Sequence, residues 1–487
     1  MDLSDFQLQA TSALRSAGQR FADLMTPTLR LGVTGLARSG KTVFITAFVR
    51  ALLSGGRLPY FQAMAEGRIE RTYLEPQPDD SVPRFAYEEH LADLAADPPR
   101  WPESTRRISQ LRLTIGYRST HALRRTFGSG RLHVDIVDYP GEWLADLGLI
   151  DTTYEAWCRS ALQDAEAPRR TPAAAEWLGF MRTLDAGAAA SEQAALKGAD
   201  LFTRYLRAAR AADPALAAPG PGRFLLPGEL EGSPLLTFFP LALPEGQAAA
   251  RGSLHAMLAR RFESYKSHVA KPFFRDHFAR IDRQIVLMDA LGAANAGPGA
   301  LDDLEGAMGA VLRAFRPGAN TWLSSILSHR VDRIVFAATK ADHLHHASHD
   351  RLEAVLRMLA DQAIARAEVA GAGVKVMALA ALRATREAEA RSGRQMLPVI
   401  VGTPLAGERV AGRVFDGRTE AGIFPGDLPE EAAILRRPRP PGAAPAVEFP
   451  RFRPPRLGLD APSGEAPPFP HIRLDRAIEF LIGDLLQ

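Results

Sequence analysis

The chain holds one cysteine, Cys158, so no disulfide can close within it and no group of thiolates can bind a metal. Long apolar runs are also missing. The best candidates, 235–243 and 396–401, are short and broken by proline, far below the roughly 20 residues a membrane span needs. The first residues, Met1 to Phe6, are acidic and lack the basic and apolar regions of a secretory leader. Neither charge dominates: 59 Lys plus Arg against 56 Asp plus Glu leave +3 over 487 residues. That surplus is too small to call for nucleic acid or an anionic membrane surface. No internal repeat is visible. These absences lead us to expect a cytoplasmic protein with no membrane span of its own and no nucleic-acid partner. The 46% hydrophobic content excludes wholesale disorder, and the length suits about three domain-sized units.

Residues 3–25 carry Phe6, Leu8, Leu14, Phe21, Leu24 and Met25 at helical spacing, and Pro27 ends that helix. Leu29–Thr34 reads as a buried strand, followed by a glycine-bearing turn and a helix over Thr42–Leu53. A polar stretch rich in Pro and Arg fills 57–107. Strands follow at Leu111–Tyr117 and Leu132–Val137. From 142 to 280 the pattern is helical, near 153–165, 173–184, 190–212 and 252–280, with a loop-like interruption at 214–244. The α/β alternation then resumes: strand 284–290, helix 301–316, strand 333–338, helix 349–370, strand 374–379. Two short β-like pieces, 397–401 and 409–415, come before a segment, 425–470, holding 13 of the 36 prolines. That density excludes helix and argues for extended loops or edge strands. Leu474, Ala477, Ile478, Leu481, Ile482 and Leu485 share one face of a closing helix.

Gly35-Leu36-Ala37-Arg38-Ser39-Gly40-Lys41-Thr42 matches G-x-x-x-x-G-K-[ST] in full, between a strand and a helix. Backbone N–H groups of such a loop point at phosphate oxygens, and the helix N-terminus adds positive potential. Gly35, Ala37, Arg38, Ser39, Gly40, Lys41, Thr42 and Val43 are thus the expected phosphate-binding residues. Lys41 would bridge the terminal phosphates, and the Thr42 hydroxyl would ligate Mg²⁺. Asp138-Tyr139-Pro140-Gly141-Glu142 follows a strand directly. Asp138 there suits Mg²⁺, and the Gly141 N–H suits the γ-phosphate. Thr339-Lys340-Ala341-Asp342 fits [NT]-K-x-D. The Asp342 carboxylate accepts from two guanine donors that adenine does not offer, while the Lys340 stem lies along the base. Ala380-Ala381-Leu382 holds the place of the third base contact. An ordinary strand-to-helix loop with a capping Asp is the alternative to the base-binding reading.

The order of these elements predicts an α/β fold: a P-loop NTPase of Ras-like G-domain type. Its parts would be an N-terminal helix (1–27), the G domain in two pieces (28–142 and 281–385), a large helical insertion (143–280), a Pro-rich, partly β insertion (386–470) and the closing helix of the G domain (471–487). Glu142 stands where many small GTPases carry a water-orienting glutamine; it is either a catalytic carboxylate or a Glu stabilised at a helix N-terminus. Arg38 is either a cation over the phosphates or the partner of an acidic neighbour. Catalytic roles are thus expected of Lys41, Gly141, Glu142 and Arg38. Thr105, with Thr72 behind it, is the expected switch threonine completing the metal ligands Thr42 and Asp138. His343, His345, His346 and His349 read as a solvated loop rather than a metal site, and Cys158 as packing.

These residues resemble the YcjX family of bacterial P-loop NTPases, associated with the phage-shock stress regulon. The resemblance rests on Gly35–Thr42, on Asp138-Tyr139-Pro140-Gly141-Glu142-Trp143-Leu144, on the T-K-A-D-H run at 339–343 and on Ala380–Arg386, and covers nearly the whole chain. The family is often labelled ATPase, whereas the T-K-x-D element favours GTP. It implies a stress role and a membrane-protein partner, through which the chain would reach the inner membrane. The expected function is a slow Mg²⁺-dependent GTPase switch. The alternatives are an ATPase with relaxed base choice and a nucleotide-dependent scaffold with negligible turnover.

Overall fold

The computed structural model describes residues 26–36, 38–56, 58–120, 130–167, 170–212, 220–243, 246, 248–313, 331–438, 445–457 and 468–487. The helix expected over 3–25, and Ala37, lie outside them.

Labels are given below to strands and to helices of six or more residues; shorter turns go by their residues. A seven-stranded sheet forms the centre: β1 (Thr28–Gly35), β2 (Ile69–Glu75), β3 (Ser109–Tyr117), β4 (Gly130–Asp138), β5 (Arg283–Met288), β6 (Arg333–Ala338) and β7 (Gly373–Ala378). Their spatial order is β2-β3-β4-β1-β5-β6-β7. β4, β1, β5, β6 and β7 run parallel, while β3 pairs antiparallel with β4 and β2 with β3. The fold is thus an α/β P-loop fold whose parallel sheet is covered on both faces, as the apolar runs Ile285–Met288 of β5 and Ile334–Ala338 of β6 require. Alternation along each strand decides which face a residue enters. Leu31, Val33, Ile285, Leu287, Val335 and Ala337 face a core shared with α1 (Lys41–Leu53), α2 (Tyr87–Ala95) and the closing helix. Val286, Met288, Ile334, Phe336 and Ala338 face the opposite core.

The chain from Gly141 to Arg280 leaves and returns between β4 and β5. Its main helices are α3 (Tyr154–Glu166), α4 (Thr171–Met181), α5 (Glu192–Ala212), α6 (Leu254–Tyr265) and α7 (Lys271–Asp276). They have an aromatic core of their own, in which Trp157 stacks on Phe262 and Trp177 on Tyr205. Cys158 is buried there, its thiol pushed up to about 12 chiefly by burial, so it packs rather than reacts. After β5 come α8 (Ala290–Ala296), α9 (Pro298–Arg313) and, beyond β6, α10 (His349–Val369). These cover the second face of the sheet.

Beyond β7, β8 (Arg386–Ser392), β9 (Gln395–Gly402) and β12 (Ala421–Ile423) make a small antiparallel sheet, with a hairpin, β10 (Arg409–Val410) and β11 (Arg413–Val414), beside it. The chain then returns as α11 (Leu474–Ile482), whose Leu474, Ala477, Ile478 and Leu481 enter the first core at i, i+3, i+4, i+7 spacing.

Within the polar stretch 57–107, for which no element was expected, lie β2 and α2. β2 is an edge strand with mostly polar, half-exposed residues, so no apolar pattern announced it. β8 was missed for the same reason: Arg386-Glu387-Ala388-Glu389-Ala390-Arg391 is charged at every other position. The strand expected to reach Ala290 ends at Met288, and the helix expected from 301 begins earlier, as α8 and then α9 from Pro298. The Pro-rich segment contains one 3₁₀ turn, Ala432–Arg436, in its longest proline-free run.

Candidate functional site

The loop between β1 and α1 is shaped by close approach. A β-carbon on Gly35 would lie 2.3 Å from Ser39 Oγ and 2.7 Å from the Leu287 carbonyl oxygen. Gly40 caps α1 at φ +88°, and Arg38 adopts φ +64°, a left-handed conformation that non-glycine residues rarely accept. Arg38 is exposed, whereas Ser39, Lys41 and Thr42 are buried. The Lys41 Nζ donates to the Gly35 carbonyl at 2.8 Å and the Leu36 carbonyl at 3.3 Å. Burial lowers the Lys41 pKa, while Asp138 and Glu142 act in the other direction and Arg210 adds to the lowering. Ser39 Oγ is buried with no hydrogen-bond partner among the described residues.

Three oxygen-bearing side chains converge beside the loop. The Thr105 hydroxyl donates to Asp138 Oδ2 at 2.6 Å and lies 3.4 Å from the Thr42 hydroxyl. Asp138 Oδ1 is buried without a partner among the described residues. Burial pushes the Asp138 carboxyl up to about 6, with Lys41 and Thr105 opposing. An orphaned carboxylate oxygen flanked by two hydroxyls is a set of hard donors, and it suits Mg²⁺. Thr72, the second choice for a switch threonine, sits instead on β2 opposite Ile115.

The turn after β4 presses on the loop. Gly141 is buried, and a β-carbon there would stand 2.4 Å from the Gly35 carbonyl oxygen and 2.7 Å from the Leu36 carbonyl carbon. Glu142 is buried too, at 6% exposed, and forms an ion pair with Arg210 from the last turn of α5. The insertion touches this turn again through the Gly222 N–H, which donates to Asp146 Oδ1 at 2.8 Å, and through the Leu226 carbonyl, which accepts from Trp143 Nε1 at 3.0 Å. The Arg223 guanidinium lies 3.3 Å above the Trp143 ring.

At the end of β6, Lys340 has φ +61° and pairs with Asp289, which caps α8. Asp342 is 4% exposed, and the Ala384 N–H donates to its Oδ2 at 2.8 Å. The Asp342 carbonyl accepts from the Thr385 hydroxyl. The carboxylate is thereby oriented by the loop after β7. That loop is itself fixed by exchanged backbone bonds between Ala380 and Ile472.

One cavity of about 320 Å³ joins these parts. Arg38, Ser39, Gly40, Lys41, Thr42, Val43, Thr105 and Glu142 line it together with Thr339, Lys340, Asp342, Ala380, Ala381 and Leu382. Gly35, Asp138 and Gly141 stand one contact behind the lining. Of the expected residues only Thr72 and Ala37 are outside this group, the latter because it is not among the described residues.

Several lining residues were not anticipated. Trp101, Leu405, Arg451 and Phe452 also line the cavity, the last three from residues 386–470. The Trp101 Nε1–H donates to the Phe452 carbonyl at 2.7 Å. Neither they nor Arg210 and Asp289 carry a local motif. The histidine loop also differs from expectation. His343 and His349 are buried, His343 edge-on to Phe449 and Phe452, and His349 bonded through Nε2 to the Ala341 carbonyl at 2.9 Å. Only His346 is fully at the surface, where it and His345 gather around Glu387.

The YcjX-like family, DUF463, matches residues 29–486 of the chain. A protein of Escherichia coli (strain K12) described as a Ras-like GTPase YcjX is 37% identical over 473 residues, covering 94% of this chain and 96% of the relative. A protein of Shewanella oneidensis with the same description is 35% identical over 482 residues, covering 94% and 95%.

Proposed function

Because this chain belongs to the YcjX-like family, we propose that it is a guanine-nucleotide switch that binds GTP and GDP with Mg²⁺ and hydrolyses GTP slowly. The observation that carries this reading is the single cavity lined both by Lys41 and Thr42 and by Lys340 and Asp342. In this reading the chain is a G domain with two insertions, 143–280 and 386–470. The relatives' description as Ras-like GTPases supports the choice of nucleotide.

The residues divide the work as follows. Lys41 and the loop N–H groups neutralise and orient the phosphates, and the unpartnered Ser39 hydroxyl donates to them. Thr42, Thr105 and Asp138 would hold Mg²⁺, which when bound offsets charge on the terminal phosphates. Asp342 selects guanine, since a buried carboxylate held at one oxygen by Ala384 stays unsatisfied opposite adenine. Gly141 reports the γ-phosphate to the turn Glu142–Asp146, and that turn touches the helical insertion. Coupling to a stress response, through a membrane-protein partner of the chain, belongs to the same proposal. No described helix is long and apolar enough to cross a membrane.

Calorimetric titration of the full chain with GTP, GDP and ATP, with and without Mg²⁺, tests this. Guanine preference that disappears in Asp342→Ala supports the assignment. Equal affinity for ATP, unchanged by the substitution, defeats it.

A further inference from the structure

Four charged side chains meet behind the terminal-phosphate end of the cavity, two from the loop and strand and two that no motif assigns together. Lys41 and Asp138 belong to the nucleotide-binding elements, while Glu142 and Arg210 form a pair between the turn after β4 and the last turn of α5. The four sum to zero. Glu142 is nearly sealed from solvent and lines the cavity, whereas Arg210, with its side chain 29% exposed, stands behind it. Arg210 comes from a helix of the insertion whose core is separate from the sheet.

We propose that Arg210 is a positioning residue that sets the preference of the site for a triphosphate over a diphosphate. It does so by neutralising Glu142, so that acceptance of a γ-phosphate depends on the helical insertion being docked. This inference rests on the nucleotide reading above. The physical reason is charge. Without Arg210 the cluster carries one net negative charge, placed on a buried carboxylate beside the position that Lys41 and Gly141 define for the γ-phosphate. A buried, unpaired carboxylate is costly by itself, and a second anion close by adds repulsion in a medium that screens poorly. A diphosphate ends one group short of that carboxylate and feels less of it.

The backbone keeps the pair from slipping. Gly222 packs so closely on this turn that a β-carbon would fall 2.0 Å from the Glu142 carbonyl oxygen, and its N–H is bound to Asp146. The insertion therefore meets the turn at Glu142, Trp143 and Asp146, with Arg210 the cation paired to Glu142 and Arg223 a second cation over the Trp143 ring. Linkage makes the effect reciprocal: a γ-phosphate that binds better with α5 docked must hold α5 in its docked position by the same factor.

The test compares GDP with a non-hydrolysable GTP analogue, each with Mg²⁺, on the full-length wild type, Arg210→Met, Arg210→Lys and the double variant Glu142→Gln/Arg210→Met. Methionine retains much of the arginine stem's volume, so packing changes little. Arg210→Met is expected to weaken the triphosphate analogue roughly ten- to fiftyfold while GDP moves less than about threefold. The double variant, which removes the unpaired negative charge as well, is expected to recover most of the loss. Arg210→Lys, which keeps the charge, is expected to recover part of it. Hydrogen exchange at 206–212 gives a second readout: it should slow with the triphosphate relative to GDP in the wild type and not in Arg210→Met. Equal weakening of both nucleotides, no weakening of either, or no recovery in the double variant overturns the role of Arg210 and leaves the nucleotide site standing. A wild type that binds neither nucleotide overturns the nucleotide reading, and this inference with it.

Discussion

Gly141 and Gly35 meet backbone to backbone: a β-carbon on the first would stand 2.4 Å from the carbonyl oxygen of the second. One glycine belongs to the turn proposed to meet the γ-phosphate and the other to the proposed phosphate loop, and nothing but hydrogen fits between them. The neighbours of the missing β-carbon are main-chain atoms, which cannot rotate away as a side chain would. Gly141→Ala is therefore expected to cost about 1–3 kcal/mol of stability and to weaken triphosphate binding more than diphosphate binding. Thermal unfolding and paired titrations check this. A variant with wild-type melting and wild-type affinities would mean that the turn yields freely.

The Thr105 hydroxyl joins Asp138 to Thr42, and removing it leaves Asp138 with neither carboxylate oxygen bonded to a side chain. Loss of such a supporting hydrogen bond typically weakens a metal site roughly ten- to hundredfold. In Thr105→Ala the Mg²⁺ concentration needed for half-maximal nucleotide affinity should rise by that amount, with Mg²⁺-free affinity nearly unchanged. Thr72→Ala, on the far edge strand, should leave both values alone. A Mg²⁺ requirement that shifts in the second variant and not in the first would reverse the assignment.

What could be read from the sequence follows from how local each signal is. β1, the loop at 35–42 and β6 with Thr339–Asp342 are contiguous signals, because a strand buried on both faces, such as β6, writes an unbroken apolar run and the motif proposed to bind phosphate needs fixed glycine spacing. β2 and β8 escaped because edge strands carry charges on their exposed positions, and those charges hide the alternation. Arg210 escaped for a different reason. It sits in a helix with Arg204 and Arg207 at similar spacing, and only the tertiary path of the insertion singles it out. Likewise Phe452 reaches the cavity from a Pro-rich segment with no periodicity to read.

Asp146 links the turn to the insertion and carries a pH signature. It is buried, accepts from the Gly222 N–H, and has the Tyr265 hydroxyl and the Arg223 guanidinium beside it; burial outweighs these and raises its carboxyl to about 7. Its ordinary value is 3.8. Between those two values the folded chain keeps a proton that the unfolded chain has released. Stability from this residue is therefore full below about pH 4 and falls as pH rises to about 7, by up to about 4 kcal/mol. Asn is isosteric, still accepts from Gly222, and does not titrate. The difference in unfolding free energy between Asp146→Asn and the wild type should thus grow in favour of the variant from pH 4 to 7. Parallel curves over that range would show that the carboxyl does not titrate there.

Trp101 precedes Thr105 in the segment that reaches Asp138 and Thr42, and its indole N–H is held by the Phe452 carbonyl at 2.7 Å. Both residues line the cavity, so this bond ties the proposed switch segment to the Pro-rich insertion across the proposed nucleotide site. Movement of 101–105 with nucleotide state must then either carry 452 along or break the bond. Each changes the surroundings of the indole, so Trp101 emission should shift on nucleotide addition and the shift should vanish in Trp101→Phe. Phenylalanine preserves most of the apolar contact and removes only the donor, a loss of about 1 kcal/mol, or roughly fivefold in affinity. Phe452→Ala separates the two halves of the contact. It keeps the main-chain acceptor while deleting the ring that packs on His343, so its affinity loss should reflect the base side of the pocket while the emission shift survives. If Trp101→Phe left the nucleotide-induced change in emission intact, the signal would have to arise from another tryptophan and the tie between switch segment and insertion would have no part in it.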